Sequence, residues 1–447
     1  MTTEQDIINA NRFGYGIRPN ETPFSAGMLA QMQSVDPADT ALAYPDTDER
    51  RMGLVALRNA RRSGGVDSRE FKQLRQEIRD VINEDFRRLL VRPTLSPRGF
   101  RERIFAFWLD HFTVAPSQLN SQILLGAYFE DAIRPNLSGR FVDLLKAVVT
   151  HPSMILFLDQ NASVGPNSRA GQRRDRGLNE NLAREILELH TLGVDAAYSQ
   201  ADVRQFAELL TGLTVTYEGV EFNQAIAEPG PETILGKTYG EGSASLDNIF
   251  EFLEDLAVNP TTAMHLAQKL AVHFIGPEPD KDYVQTMADA YLASDGELIA
   301  LYDVLLNHSA AQSPLGQKAR LPFEYTISCM RAIEIPADLI LGLNSGELQN
   351  GFQVPLTGMG QRPFRPNGPD GWDEALEAWI TPPTLAARIN WAGEMAQNHA
   401  ADRNPKKLLE TVLGPLASDD LRVAMAAVDA QWEGVALMLI SPTFMRR

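Results

Sequence analysis

Asn181, Glu185 and Glu188 are spaced to form a site if the segment that carries them is helical. At about 100° per residue they share one arc of roughly 60°, while Leu182, Ile186 and Leu189 gather on a core-facing side. Two carboxylates and an amide on one stripe suit a polar pocket, as general base, metal ligand or seat for a cationic substrate. Arg184 lies beside them and becomes a substrate contact, together with Asn181. The alternative is structural: Arg184, Arg103 or another arginine neutralises the acids in an ionic network, because unpaired buried carboxylates are costly. His190 falls about 180° from Asn181 on the same wheel. Glu188 and His190 can therefore share a ligand only if the last turn unwinds before Gly193, a residue suited to a helix C′ position.

The chain has seven histidines: His111, His151, His190, His265, His273, His308 and His399. None stands in a His-Glu-x-x-His, His-x-His or Glu-x-x-His pattern, so a metal site would have to be assembled from separate helices. A divalent metal is then the cofactor to expect, with His111, Glu185 and His190 as its ligands and His273 as a further candidate. Glu185, Glu188, His190 and His111 are the catalytic candidates, and hydrolysis is the reaction class such groups serve without an organic cofactor. His111, His190 and His273 each also sit beside bulky apolar residues, as in Trp108-Leu109-Asp110-His111-Phe112, which suits a hydrogen-bonded core residue better. Asp110 and His111 are adjacent, so they point to different helix faces and form no dyad.

Other chemistries are weakly supported. No Gly-x-Ser-x-Gly elbow and no Cys-x-x-Cys-His haem attachment occurs. The single cysteine, Cys329, lies in an apolar helical pattern and reads as a small buried hydrophobe. Gly230 to Thr238 resembles a phosphate-binding loop, but five residues separate Gly230 from Gly236 where that loop has four. Pro231 and Glu232 would also remove an N–H and add a negative charge where phosphates should sit.

Three loops are long: Asp36 to Asp48, Asn161 to Gly177, and Gly358 to Asp373. The second carries Arg169, Arg173, Arg174 and Arg176 just before a helix N-terminus. Arg173 and Arg174 are substrate-binding candidates in a basic lid over an anionic ligand. The same arginines otherwise form a solvated loop or a patch for an acidic surface.

The elements that must position these residues are helices. Asn259-Pro260 and Thr381-Pro382 read as N-caps followed by proline at the first helical position, as does Ser96-Pro97. Ser199 to Asp202 and Ser294 to Glu297 resemble capping boxes. Leu213 to Phe222 alternates around Glu218-Gly219 as a hairpin, and Thr233 to Leu235 adds a short strand. The expected fold is all-α, a multi-helical globular domain with a minor β-hairpin excursion near residues 213–239. No linker composition divides the chain, so residues 1–447 are expected to form one elaborated domain.

A net charge of −17 over 447 residues disfavours binding to nucleic acid or to anionic membranes. No apolar run approaches membrane-spanning length, and the first residues show no signal peptide, so a cytoplasmic location is the default.

Residues 178–193, Leu-Asn-Glu-Asn-Leu-Ala-Arg-Glu-Ile-Leu-Glu-Leu-His-Thr-Leu-Gly, resemble the signature of the bacterial family called domain of unknown function 1800. Further pieces agree in order: Arg12 to Gly16, Phe107-Trp108 with His111-Phe112, His151-Pro152, His273-Phe274, Gly371-Trp372 and Ser441-Pro442. The resemblance implies no activity. It implies a neighbouring protein similar to sulfatases or phosphatases as a partner, and hence an accessory role as the alternative to an enzyme. Many relatives carry His-Asn-His where this chain has Leu109-Asp110-His111. Many carry His-Asp-Pro-Gly where it has Ala227-Glu228-Pro229-Gly230.

Overall fold

The computed structural model describes residues 3–21, 27–33, 46–116, 119–173 and 177–447. The fold is helical, with two small antiparallel two-stranded sheets. Side-chain caps set many of the helix starts, because the first turn leaves N–H groups without partners. Ser199 and Asp202 form a reciprocal capping box ahead of Gln200–Leu210. Asn259 accepts from Thr261 N–H at the start of Pro260–Phe274. At the start of Pro382–His399 the Thr384 hydroxyl accepts from Thr381 N–H at 2.9 Å.

Two expected starts fall elsewhere. The helix anticipated from Pro97 begins at Gly99, because Ser96 closes the preceding helix Arg69–Leu95 and its hydroxyl accepts from Arg98 N–H. Ser294 to Glu297 is a turn and not a capping box. Asp295 and Gly296 have φ values of 57° and 83°, in the left-handed region. The Ser294 hydroxyl donates back to Tyr291 O, and the next helix starts at Leu298.

Leu213–Thr216 pairs with Gly219–Phe222. Glu232–Ile234 pairs with Lys237–Tyr239. The second pair turns through Leu235 and Gly236, both at positive φ, as a two-residue hairpin turn requires. The segment that imitates a phosphate loop is therefore a hairpin.

One hydrophobic cluster is built around Gly99–His111, Phe141–Val149, Pro260–Phe274 and Leu298–Asn307, with Trp108 at its centre. The Trp108 indole N–H donates to Tyr302 OH at 2.6 Å, so its one polar atom is satisfied. A second cluster joins Pro322–Ala332, Pro382–His399 and Gln431–Leu439. Phe364, from the Gly358 to Asp373 loop, packs against both. Among the described residues no helix is long and apolar enough to cross a membrane.

Candidate functional site

The Asn181 segment is helical, but it does not enclose the pocket expected of it. Asn181 is exposed, and only Leu182, Ala183, Ile186, Leu187, His190 and Thr191 turn inward. Glu188 is half-buried and bound at 3.1 Å by Arg184, which also reaches Glu180 at 3.2 Å and Gln200 at 3.0 Å. Arg184 is thus spent on a rim of neighbouring polar groups. Glu185 is half-buried; burial raises its pKa first, and the charges of Glu188 and Asp370 add to that. The stripe packs its apolar side so well that the polar side remains at the surface. We expect Glu188→Gln to change stability by less than about 0.5 kcal/mol, since surface ion pairs contribute little. Glu185→Gln should be neutral or stabilising at pH 7, because it removes a charge that folding disfavours. Urea midpoints for the two variants check this, and a loss above about 2 kcal/mol in either would restore an internal role.

From Ile186 to Thr191 the helix widens to a π turn, with Thr191 Oγ1 donating to Ile186 O at 2.6 Å. A wheel drawn at about 100° per residue therefore misplaces this last turn. His190 lies 5.0 Å, ring to ring, from Phe112 and 6.0 Å from His111. His111 Nε2–H donates to the His190 carbonyl at 3.1 Å, which leaves Nδ1 of each ring buried without a partner. Burial, then the charge of Lys269, lowers both pKa values, that of His190 to about 3, so both rings are neutral. The described residues contain no group of three His, Cys, Asp or Glu side chains arranged to hold a metal ion. Arg169 and Arg173 are exposed, whereas Arg174 and Arg176 lie outside the described residues. Glu228 anchors the loop that carries Arg169 and Arg173, accepting from Asn167 N–H at 2.9 Å.

A cavity of about 150 Å³ lies elsewhere, between the Arg69–Leu95 and Gly99–His111 helices. Phe86, Leu89, Phe105, Leu109 and Phe129 make its walls apolar, and Arg103, Asp110, His273 and Glu324 bring polar groups to it. The Gly358 to Asp373 loop roofs it with Pro363, Phe364, Pro366 and Trp372. The Phe364 ring sits 5.9 Å from Phe86 and 6.0 Å from Phe129, which fixes the loop from above.

Asp110 ties the loop from below. Its Oδ1 accepts from Trp372 N–H at 3.0 Å. Gly371, at φ 85°, allows that approach, since a Cβ there would stand 2.7 Å from Asp110 Oδ1. Burial raises the Asp110 pKa to about 7; Glu374 and Asp370 add to this, while the Trp372 N–H and Lys269 oppose it. We expect Gly371→Ala to release the loop at a cost of about 1–3 kcal/mol from combined strain and contact. Limited proteolysis between Gly360 and Asp373 should quicken; an unchanged cleavage rate would show that the approach does not hold the roof.

Behind Asp110 runs a buried ionic chain. Glu324 Oε1 lies 2.8 Å from both Arg103 Nη1 and Arg447 Nε, and 3.8 Å from Arg320 Nη1. Arg103 Nη2 is 3.1 Å from His273 Nε2, and His273 Nδ1 is 2.6 Å from Glu374 Oε1. Arginine only donates, so Nε2 accepts and Nδ1 carries the proton to Glu374. That tautomer is neutral, in agreement with burial lowering the His273 pKa to about 4. Lys318 Nζ completes the chain 2.6 Å from Glu374 Oε2. Arg103, expected as a counterion for Glu185 or Glu188, pairs instead with Glu324. One local clue to Asp110 was legible, an acid set within the aromatic run Phe105 to Phe112. Its partners come from residues more than 150 positions away, which no local pattern encodes.

Comparison with known proteins adds a family and no activity. The family model described as "Protein of unknown function (DUF1800)" matches residues 8–446. No curated protein and no solved structure matches the chain.

Proposed function

For this chain, which belongs to the DUF1800 family of unknown function, we propose an enzyme of hydrolytic type with Asp110 as its general base. The observation that carries this reading is the environment of Asp110: a carboxyl at an apolar cavity, hydrogen-bonded by Trp372 N–H, with a pKa near 7. A group that gains and loses its proton near neutral pH is suited to acid–base work. Ionised Asp110 takes a proton from water as the water adds to a carbonyl carbon, and the tetrahedral adduct then collapses with cleavage of its C–O or C–N bond as Asp110 returns that proton to the leaving alcohol or amine. Arg103, on the same cavity, stabilises the negative charge that develops on the carbonyl oxygen. Neutral His273 accepts from Arg103 and so orients the guanidinium. In this reading His111 and His190 serve packing.

The test is turnover of a panel of small aryl esters and amides by the full chain across pH 5 to 9. The expected rate rises through about pH 7, and Asp110→Asn lowers kcat/KM at least about 100-fold while the chain stays folded. Wild-type rates in Asp110→Asn, or no turnover of any panel member by the wild-type chain, would remove the assignment.

A further inference from the structure

The arginines that line the cavity around Asp110 are already bound to acids. Arg88 Nε lies 3.1 Å from Glu84, Arg92 Nη1 3.0 Å from Glu130, Arg103 Nη1 2.8 Å from Glu324 and Arg134 Nη1 2.7 Å from Glu102. Arg362, the fifth, is exposed at the rim, where water and salt screen it. Asp110 itself reports how this space treats a carboxylate. Burial raises its pKa to about 7, and Glu374 and Asp370 add to the rise. The cavity therefore favours the uncharged form of an acid.

The walls add shape. Phe86, Phe105, Phe129, Phe323 and Phe364 line the space. Phe364 is held at φ 58°, a left-handed conformation that bulky residues rarely adopt. Strain of this kind persists where packing over-determines it, and it is concentrated at ligand clamps and active sites. The Phe364 ring packs against both Phe86 and Phe129, so the roof loop is bent in a way that brings a phenyl ring over the cavity. A volume near 150 Å³ with hydrocarbon walls holds one aromatic ring. We propose that the cavity takes an uncharged single-ring aryl group, the body of a neutral ester or amide, and rejects the corresponding carboxylate. The ring meets the phenylalanines edge-on or offset, as aromatic pairs prefer. A carboxylate in its place would lose its hydration beside Asp110, with the buried guanidinium groups already engaged. The inference rests on the cavity being the substrate site of the preceding section. It deepens that reading, because the acid released by hydrolysis is the form the cavity rejects, so the product leaves once the bond is cut.

The experiment is calorimetric titration of the full chain at pH 7 with benzamide and with benzoate, which has the same ring and nearly the same shape but carries a charge. Acetamide and 2-naphthamide serve as comparisons of size. Benzamide is expected to bind at least about tenfold more tightly than benzoate, since a buried charge without a partner is costly. Acetamide, lacking the ring, binds at least about tenfold more weakly than benzamide. The two rings of 2-naphthamide exceed the space and weaken binding again. Ala106→Leu, on the cavity wall, fills it and weakens benzamide at least about tenfold, with an unchanged far-ultraviolet spectrum as the control for folding. Should that variant not fold, the comparisons on the wild-type chain still decide. Benzoate held as tightly as benzamide overturns the selection against charge, and acetamide held as tightly overturns the ring seat. Tighter binding of 2-naphthamide overturns the single-ring size, and unchanged benzamide affinity in folded Ala106→Leu puts the ligand outside this cavity. No binding of benzamide overturns the proposal entirely. Benzamide bound as expected, with no ester or amide turned over, removes the catalytic assignment and leaves this one. Turnover with benzoate and benzamide held alike removes this one and leaves the catalytic assignment.

Discussion

Glu324→Gln should destabilise the chain by about 3–5 kcal/mol, the largest effect expected of any single change discussed for this protein. The carboxylate is fully enclosed and is the shared counterion of Arg103, Arg320 and Arg447. Its removal leaves three buried guanidinium groups short of one charge, at a depth where water cannot compensate. Burial alone would raise the Glu324 pKa, but Arg103, Arg447 and Arg320 outweigh it and hold the group at about 2. The sign of the linkage follows. A depressed folded-state pKa adds stability above the unfolded value of about 4.5, and that stability is lost as pH falls toward 2. Urea unfolding of wild type should therefore lose midpoint steeply between pH 4.5 and 2, and the variant should start lower and fall less. If Glu324→Gln fails to fold, the double variant Glu324→Gln with Arg447→Met should recover folding by removing one of the stranded charges. A single variant within about 1 kcal/mol of wild type at pH 7 would refute the arrangement.

Asp110→Asn is expected to act in the opposite direction. The Asp110 pKa is raised by burial, then by Glu374 and Asp370, against the Trp372 N–H and Lys269. A carboxyl whose folded-state pKa is raised contributes its stability fully below the unfolded value of about 3.8, and loses it as pH rises through about 7. Asparagine keeps the Oδ1 acceptor for Trp372 N–H and cannot ionise. At pH 8 the variant should be more stable than wild type by about 2–3 kcal/mol, less than the full shift would give because the group is only partly buried. At pH 4 the two should nearly coincide. Melting temperatures across pH 4 to 9 decide it, and parallel curves would mean that Asp110 does not titrate in this range. Stabilisation paired with lost turnover is also what a functional carboxyl in an unfavourable site should show.

Helix content, the hairpin from Leu213 to Phe222, the short strand at Thr233 and the caps at Ser199, Asn259 and Thr381 were readable from local pattern, because each depends on residues within a few positions of one another; the return strand Lys237–Tyr239 was not. The Gly358 to Asp373 loop was legible only as one of three long loops. The Asn181 stripe shows the limit of that kind of reading. A wheel reports which residues share a face but not what faces them, and here that face meets Arg184 and solvent. The π turn from Ile186 shifted His190 in a way periodicity could not show, since the widening depends on hydrogen bonds such as that from Thr191 to Ile186.

What the sequence determined by itself, then, is a helical fold with several of its caps, and the placing of a lone acid in an aromatic run. Only the tertiary structure decided that this acid, Asp110, meets the backbone of Trp372, 262 residues away, and that Glu324 gathers arginines from three segments of the chain. The physical reason is that the strength of a charge depends on what surrounds it. A proton affinity is set by the water removed and the charges brought near, and both are properties of the packed chain.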